Sequence, residues 1–423
     1  MRVRRTLPPA AVPLDFQDLW NGFKGFLAGE SYDEKLKEEI RRYFNVKHVF
    51  LTSSGKASLY LMLMALKFLR PQKREVIIPA YTCFSVPSAI VRAGLTVVPC
   101  DIDASSLDFD RNILKNRTTN KTLCVVPNHL FGVPSRMDDI IEMCRGRDVF
   151  VLEDAAQAMG SGNGEKFLGT IGDAGFFSLG RGKAVTCGSG GIIMTNSDTI
   201  SAAIQNEYDR IPYPRKTESL KELAKAALMS LFIRPYLYWI PAAIPFLKLG
   251  RTVFDPDFPV QRLSSMQAGL CATWRRRLEK AMSIRKRQAA QLCSQLKIAG
   301  PLNSSCVLPY LRFPVIVESR VQKRRICEAA AKKGLGITQM YPSPINEIPQ
   351  IAHCFRGHSF PGARLVADRL ITMPLHQFVN DRDRAEMVRL IAWALRARRR
   401  DSMVSGDLAM PIPHLVAKGR GQS

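Results

Sequence analysis

The chain has 423 residues, 46% of them hydrophobic, and a net charge of +24 from 61 Lys and Arg against 37 Asp and Glu. That length exceeds one simple core and predicts two lobes, and the composition excludes a disordered chain. Its ten cysteines never stand as a Cys-x-x-Cys pair, which speaks against a zinc centre or a disulfide framework and for a reducing cytoplasm.

Residues 1–30 read as an N-terminal arm. Met1 to Arg5 is basic, but no apolar run follows before Pro8-Pro9, so the start does not read as a secretory signal. Residues 31–257 then alternate strands and helices. Strands are expected at 48–52, 75–79, 96–100, 123–127 and 149–152, and helices at 56–69, 86–92 and 137–144. Valine- and isoleucine-rich strands alternating with helices predict an α/β domain with a mostly parallel sheet covered on both faces. Ligands of such sheets collect at the carboxyl ends of the strands.

Ala226 to Leu247 is mostly apolar and includes Trp239, but Arg234, Pro235, Pro241 and Pro245 interrupt it. A spanning helix needs about 20 uninterrupted apolar residues. A buried lid or a dimer contact is the expected role of this insertion, ahead of a patch resting on a membrane surface. Residues 258–400 change texture: a long helix over 265–296, a strand region at 310–317 and helices at 322–333 and 382–398 predict a smaller α+β domain. Residues 401–423 lack periodicity and read as a disordered tail. Basic runs at 274–287 and 396–400 carry much of the positive charge. Without zinc-finger spacing or aromatic-basic interleaving they read as solvated helix faces, so no nucleic acid is expected.

The chemistry concentrates at strand ends. Thr52-Ser53-Ser54-Gly55-Lys56 joins a strand to a helix, and first-turn N–H groups beside small residues make an anion pocket. Asp154 and Gln157 follow an apolar strand, and Ser178 ends the segment Gly172-Asp173-Ala174-Gly175-Phe176-Phe177-Ser178. His129 ends another strand, as either a site residue or a satisfied structural histidine. Lys183 stands among glycines and small apolar residues, where lost hydration lowers its pKa and makes a better nucleophile. An acid for a ring nitrogen, a hydroxyl for phosphate and an amine for a Schiff base are what pyridoxal phosphate requires. No metal site is expected.

The segments SSGKA, IIPAYTC, GLTVVPCDID, VVPNHLFG, EDAAQA, GDAGFFS, GRGKAVTCGSGG, RLSSMQAGL and MPLHQF occur in an order that resembles the DegT/StrS family of sugar aminotransferases. The resemblance runs from about residue 46 to 395. It implies a fold-type I enzyme that carries pyridoxal phosphate and aminates a nucleotide-linked keto-sugar, usually with glutamate as donor. It also implies a homodimer with sites built from both subunits. By position, Lys183 would form the Schiff base, Asp154 would pair with the pyridinium nitrogen, Gln157 would contact the ring, and Ser178 with the backbone of Gly55 and Lys56 would bind phosphate. Tyr81 or Phe84 would stand in for the aromatic residue the family commonly has where this chain has Cys83. Arg181, Arg262 and Lys56 are candidates for the sugar's diphosphate, and His129 for the substrate region. The chain departs from the family at Lys56, Cys83, Val260 and the 226–250 insertion. Related dehydratases carry histidine in place of the lysine, so Lys183 argues against that alternative. A non-catalytic regulatory protein on the same fold is the other.

Overall fold

The structure, a computed structural model, describes residues 5–28, 31–162, 166–244, 250, 252–298, 302, 305 and 308–392. Seven strands form the main sheet: β1 (His48–Thr52), β2 (Glu75–Pro79), β3 (Thr96–Cys100), β4 (Thr122–Val125), β5 (Phe150–Asp154), β6 (Ala174–Ser178) and β7 (Gly191–Thr195). They lie in the order β1-β7-β6-β5-β4-β2-β3. The pairs from β3 to β6 are parallel, and only β7 runs against its neighbours. The expected mostly parallel sheet is therefore present, and its strands are apolar along their length because helices cover both faces. Crossovers bring the ends of β1, β4, β5 and β6 to one edge, so segments distant in sequence meet there.

A second sheet of β8 (Arg312–Ile316), β9 (Thr338–Gln339) and β10 (Leu370–Pro374) is antiparallel, in the order β8-β10-β9. Its apolar face packs with the helix Arg320–Lys333 around Phe313, Ile326 and Ile371. A helix occupies 381–392, and its expected continuation to 398 and the tail at 401–423 fall outside the described residues.

Three elements differ from expectation. The arm contains a helix, Phe16–Ala28, and a second, Ser31–Phe44, opens the next segment. Before them, an extended stretch binds the smaller sheet's region: the Leu7 N–H donates to the Gly334 carbonyl at 2.8 Å, and His376 meets the Pro8 carbonyl at 2.8 Å. The expected single helix over 265–296 is two, Ser265–Leu270 and Trp274–Leu296. The turn between them sends Trp274 into the core, where its indole N–H donates to Glu39 at 3.0 Å.

The insertion is not a buried lid. Helix Lys216–Phe232 buries only Ser219 and Ala226, and Trp239–Ala242 buries nothing fully. No helix among the described residues is long and apolar enough to cross a membrane. Eight cysteines are free, whereas Cys293 is disulfide-bonded.

Candidate active site

The floor of the site is a buried polar network at the end of β5. Glu153 and His129 are both fully inaccessible and meet at 2.8 Å. The Ser135 N–H donates to His129 Nδ1 at 3.1 Å, which fixes the tautomer: Nε2 carries the proton and donates to Glu153. Glu153 also accepts from the N–H groups of Gly169 (2.8 Å), Ile171 (2.5 Å) and Gly172 (2.7 Å). Burial alone would push the Glu153 carboxyl up, but these donors outweigh it and hold the carboxyl below its ordinary value. His129 has both ring nitrogens engaged, so of its two sequence readings the structure supports the satisfied one. It ties the loop after β4 to the end of β5.

Asp154 lies next along the chain, 4% exposed, with one oxygen accepting from the Ala156 N–H at 3.1 Å. Burial raises its pKa, and the charge of Lys183 pulls the other way. Lys183 shows the reciprocal response. Crowding by protein atoms lowers its pKa first, although the residue keeps some exposure, while Cys83 and Asp154 support the ammonium and Arg312 opposes it. The amine and the carboxylate thus lie within electrostatic reach of one another, as the sequence pattern predicted.

The phosphate side assembles as expected. Helix Gly55–Leu69 is capped by the Ser54 hydroxyl, which accepts from the Ala57 N–H. A side chain at Gly55 would stand 3.1 Å from Ser178 Cβ, so the bare backbone faces that hydroxyl closely. Gly191 on β7 lies so near this turn that a Cβ would be 2.6 Å from the Ser54 carbonyl oxygen; only glycine fits. Gly180 N–H donates to Ser178 Oγ at 3.3 Å. A helix N-terminus, a hydroxyl, a buried carboxylate and a partly desolvated amine are a donor set that fits pyridoxal phosphate.

Other expected residues are placed differently. Gln157 has its amide committed, donating to the Tyr341 hydroxyl at 2.9 Å and accepting from the Phe131 N–H at 3.3 Å. Phe84 packs in the large apolar core, so it does not substitute for a ring-stacking residue. Tyr81 lies against Tyr341, their rings 5.4 Å apart, and Cys83 is the member of this segment within electrostatic reach of Lys183. The Lys56 ammonium pairs with Asp255 at 3.0 Å over the Phe258 ring. The Arg262 guanidinium lies over the rings of Tyr208 and Tyr213 and donates to the Tyr208 carbonyl at 3.1 Å, so it is engaged within its own subunit. Arg181 is exposed.

Residue order follows a known pattern here. The DegT/DnrJ/EryC1/StrS aminotransferase family matches residues 23–209 and 260–392, well over half of the sequence. The chain belongs to that family. Among curated relatives, the GDP-perosamine synthase of Escherichia coli O157:H7 is 33% identical over 191 residues, 45% of this chain and 49% of that protein. The GDP-4-keto-6-deoxy-D-mannose 3-dehydratase of Yersinia pseudotuberculosis is 32% identical over 258 residues, 55% of this chain and 65% of that one. The match to the first spans about half of that relative's length. Helicobacter pylori PseC, an aminotransferase involved in the biosynthesis of pseudoaminic acid, superposes with a TM-score of 0.74 at 16% identity, covering 93% of this chain and all of that one. That likeness is one of fold.

Sequence reasoning missed three residues of this family member's site. Arg312 opens β8 in the smaller sheet, yet its charge bears on Lys183. Burial pulls its pKa down, and among the described residues no carboxylate pairs with it; it donates to Thr338 Oγ1 at 3.4 Å. Tyr341 and Tyr238 both interact electrostatically with this guanidinium. Tyr238 comes from the insertion, so that segment reaches the site at one residue while remaining largely exposed elsewhere. No sequence signal marks these three, because each is brought in from beyond the strand-end motifs. A separate surface cleft of about 690 Å³, lined by residues such as Arg42, Tyr43 and Trp274, shares nothing with this site.

Proposed function

We propose that this chain is a pyridoxal-phosphate-dependent aminotransferase that moves an amino group from an amino acid, glutamate in this reading, to the keto group of a nucleotide-linked sugar. The product class is an amino sugar for surface polysaccharide. The single observation that carries the reading is the convergence of the Lys183 amine, within electrostatic reach of the Asp154 carboxylate, with the close approach of Ser178 to Gly55 at the helix start. The relatives lend a GDP-linked sugar as acceptor class. Membership of the family supports a homodimer, and the eight free cysteines support a cytoplasmic setting.

Lys183 would hold the cofactor covalently, Asp154 would face its ring nitrogen, and Ser178 with the first-turn N–H groups at Gly55 and Lys56 would hold its phosphate. When bound, that group supplies an electron sink for a carbanion at the donor's α-carbon. Asp154 is expensive to keep ionised alone, and a cation beside it restores the charged form. Arg312, half-buried and without a carboxylate partner among the described residues, orients the donor by its carboxylate group. Tyr238 and Tyr341 lie within electrostatic reach of that guanidinium. The Lys183 Nζ, whose pKa desolvation lowers, would take the donor's α-proton and return it.

The test is a half-reaction. The purified protein loaded with pyridoxal phosphate should release 2-oxoglutarate from glutamate and leave the amine form of the cofactor. That form should then aminate a GDP-4-keto-6-deoxy sugar. Mass analysis separates this outcome from dehydration, which would give a deoxygenated product and carry the assignment to the dehydratase relatives. No spectral change with any amino acid would sink the reading.

A further inference from the structure

The helix Phe16–Ala28 is apolar on two sides. Its inward face buries Asp18, Gly22 and Gly25 and rests Leu19 and Phe26 against the core, while another face carries Phe16, Trp20, Phe23 and Leu27 into solvent. The spacing of four, three and four residues puts those side chains on one stripe. Phe16 is 82% exposed and Leu27 68%, and the Trp20 and Phe23 rings stack 5.7 Å apart. The inward face is forced. A Cβ at Gly25 would lie 2.3 Å from the Ser265 carbonyl oxygen, so only small residues let the helix sit flat on Ser265–Leu270, and Asp18 takes a hydrogen bond from Thr273 there.

A second helix extends the same feature. Lys216–Phe232 packs beside the first, where a side chain at Gly22 would meet Leu223 at 3.4 Å, and it exposes Leu220, Leu228 and Leu231. Tyr236 follows at 73% exposure. Nine of the thirteen large apolar side chains exposed among the described residues fall between 16 and 27 or between 213 and 236. Scattered single apolar residues need no explanation, but a cluster of this density marks an interaction surface.

We propose that this two-helix face docks on the surface of an anionic phospholipid bilayer. Lys24, Lys221 and Arg234 are exposed beside the apolar stripes, within a chain of net charge +24. Aromatic rings that sit at the headgroup level, aliphatic side chains below them and cations above are the components of interfacial binding. No described helix is long and apolar enough to span, so the face lies on the bilayer. A second copy of the chain is the weaker occupant of this face, because a two-fold contact here would set Lys24, Lys221 and Arg234 against their own counterparts. The face also falls largely outside the residues matched by the family, which leave out 1–22 and 210–259. The same segment carries Tyr236 outward and holds Tyr238 within electrostatic reach of Arg312.

Flotation of the full-length, cofactor-loaded protein with vesicles tests this. The protein should float with phosphatidylglycerol-phosphatidylcholine vesicles and much less with phosphatidylcholine alone. A Phe16→Ser/Trp20→Ser/Phe23→Ser variant should lose at least about tenfold in partitioning while keeping its half-reaction with glutamate. A Lys24→Glu/Lys221→Glu variant, which leaves the apolar stripe intact, should lose the preference for phosphatidylglycerol. Brominated lipid should quench tryptophan emission in the wild type and do so less in Trp20→Phe. Wild-type protein that stays in solution with anionic vesicles overturns the proposal. So does a triple variant that floats like wild type, or one whose only change is from dimer to monomer by light scattering.

Discussion

The end of β5 and the two-helix face handle the same physical problem in opposite ways. At the first, charges sit in the interior: Glu153 is inaccessible but accepts from three backbone N–H groups and His129, so its desolvation is offset. At the second, large apolar groups sit in water with nothing among the described residues covering them. Buried charge is tolerable where every lone pair has a donor; exposed apolar surface is tolerable where something outside the chain takes it up. The contrast separates residues that hold this molecule together from residues that face a partner.

The comparison can be pressed from its catalytic side first. Lys183→Ala should lower the glutamate half-reaction by about a thousandfold or more, read as 2-oxoglutarate formed in a single turnover. Retained turnover would remove Lys183 from its role. Glu153→Ala should cost about 3–5 kcal/mol of stability in denaturant titrations, since it strands buried donors. The pH dependence has a definite sign. The folded carboxyl titrates below its ordinary value, so its contribution is complete above the unfolded value of 4.5 and is lost as pH falls through the lower folded one. Glu153→Gln should flatten that acid limb.

Arg312→Met should raise the KM for the amino donor by about ten- to a hundredfold, with a smaller change in kcat and none in the KM for the keto-sugar. An unaltered donor KM would assign the guanidinium to packing. A finer effect concerns the amine itself. Because its pKa lies below the ordinary 10.5, apo-protein Lys183 should react with a small aldehyde at a pH where other lysines do not. Asp154→Asn withdraws the carboxylate that supports the ammonium, so the reaction profile should move further toward acid. The smallest expected effect belongs to the outer face. Phe16→Ser should change stability by no more than about 0.5 kcal/mol, because the ring has few neighbours to lose.

The legible part of this protein was local. Strand periods, the glycines around Lys183 and the carboxylate after β5 each announce themselves within about ten residues. Ser178 beside Gly55 follows from the same logic, since both lie at ends of strands in one parallel sheet. Tyr81, Cys83 and Phe84 show the limit of that logic. All three follow β2, but which one faces the amine depends on how the turn is rotated, and the neighbour sequence alone would prefer an aromatic. Gln157 was found by motif, yet its committed amide depends on Tyr341, 184 residues later.

What the sequence by itself determined is therefore the identity and order of groups on the sheet edge, because strand alternation and helix caps are set by neighbours along the chain. The tertiary structure alone decided that Arg312 and Tyr238 join that edge, and which face of Phe16–Ala28 turns inward. A helix with apolar residues on one side would ordinarily bury them. Here the partner surface at Ser265–Leu270 approaches so closely that only glycine fits against it, and the aromatic stripe is left pointing out.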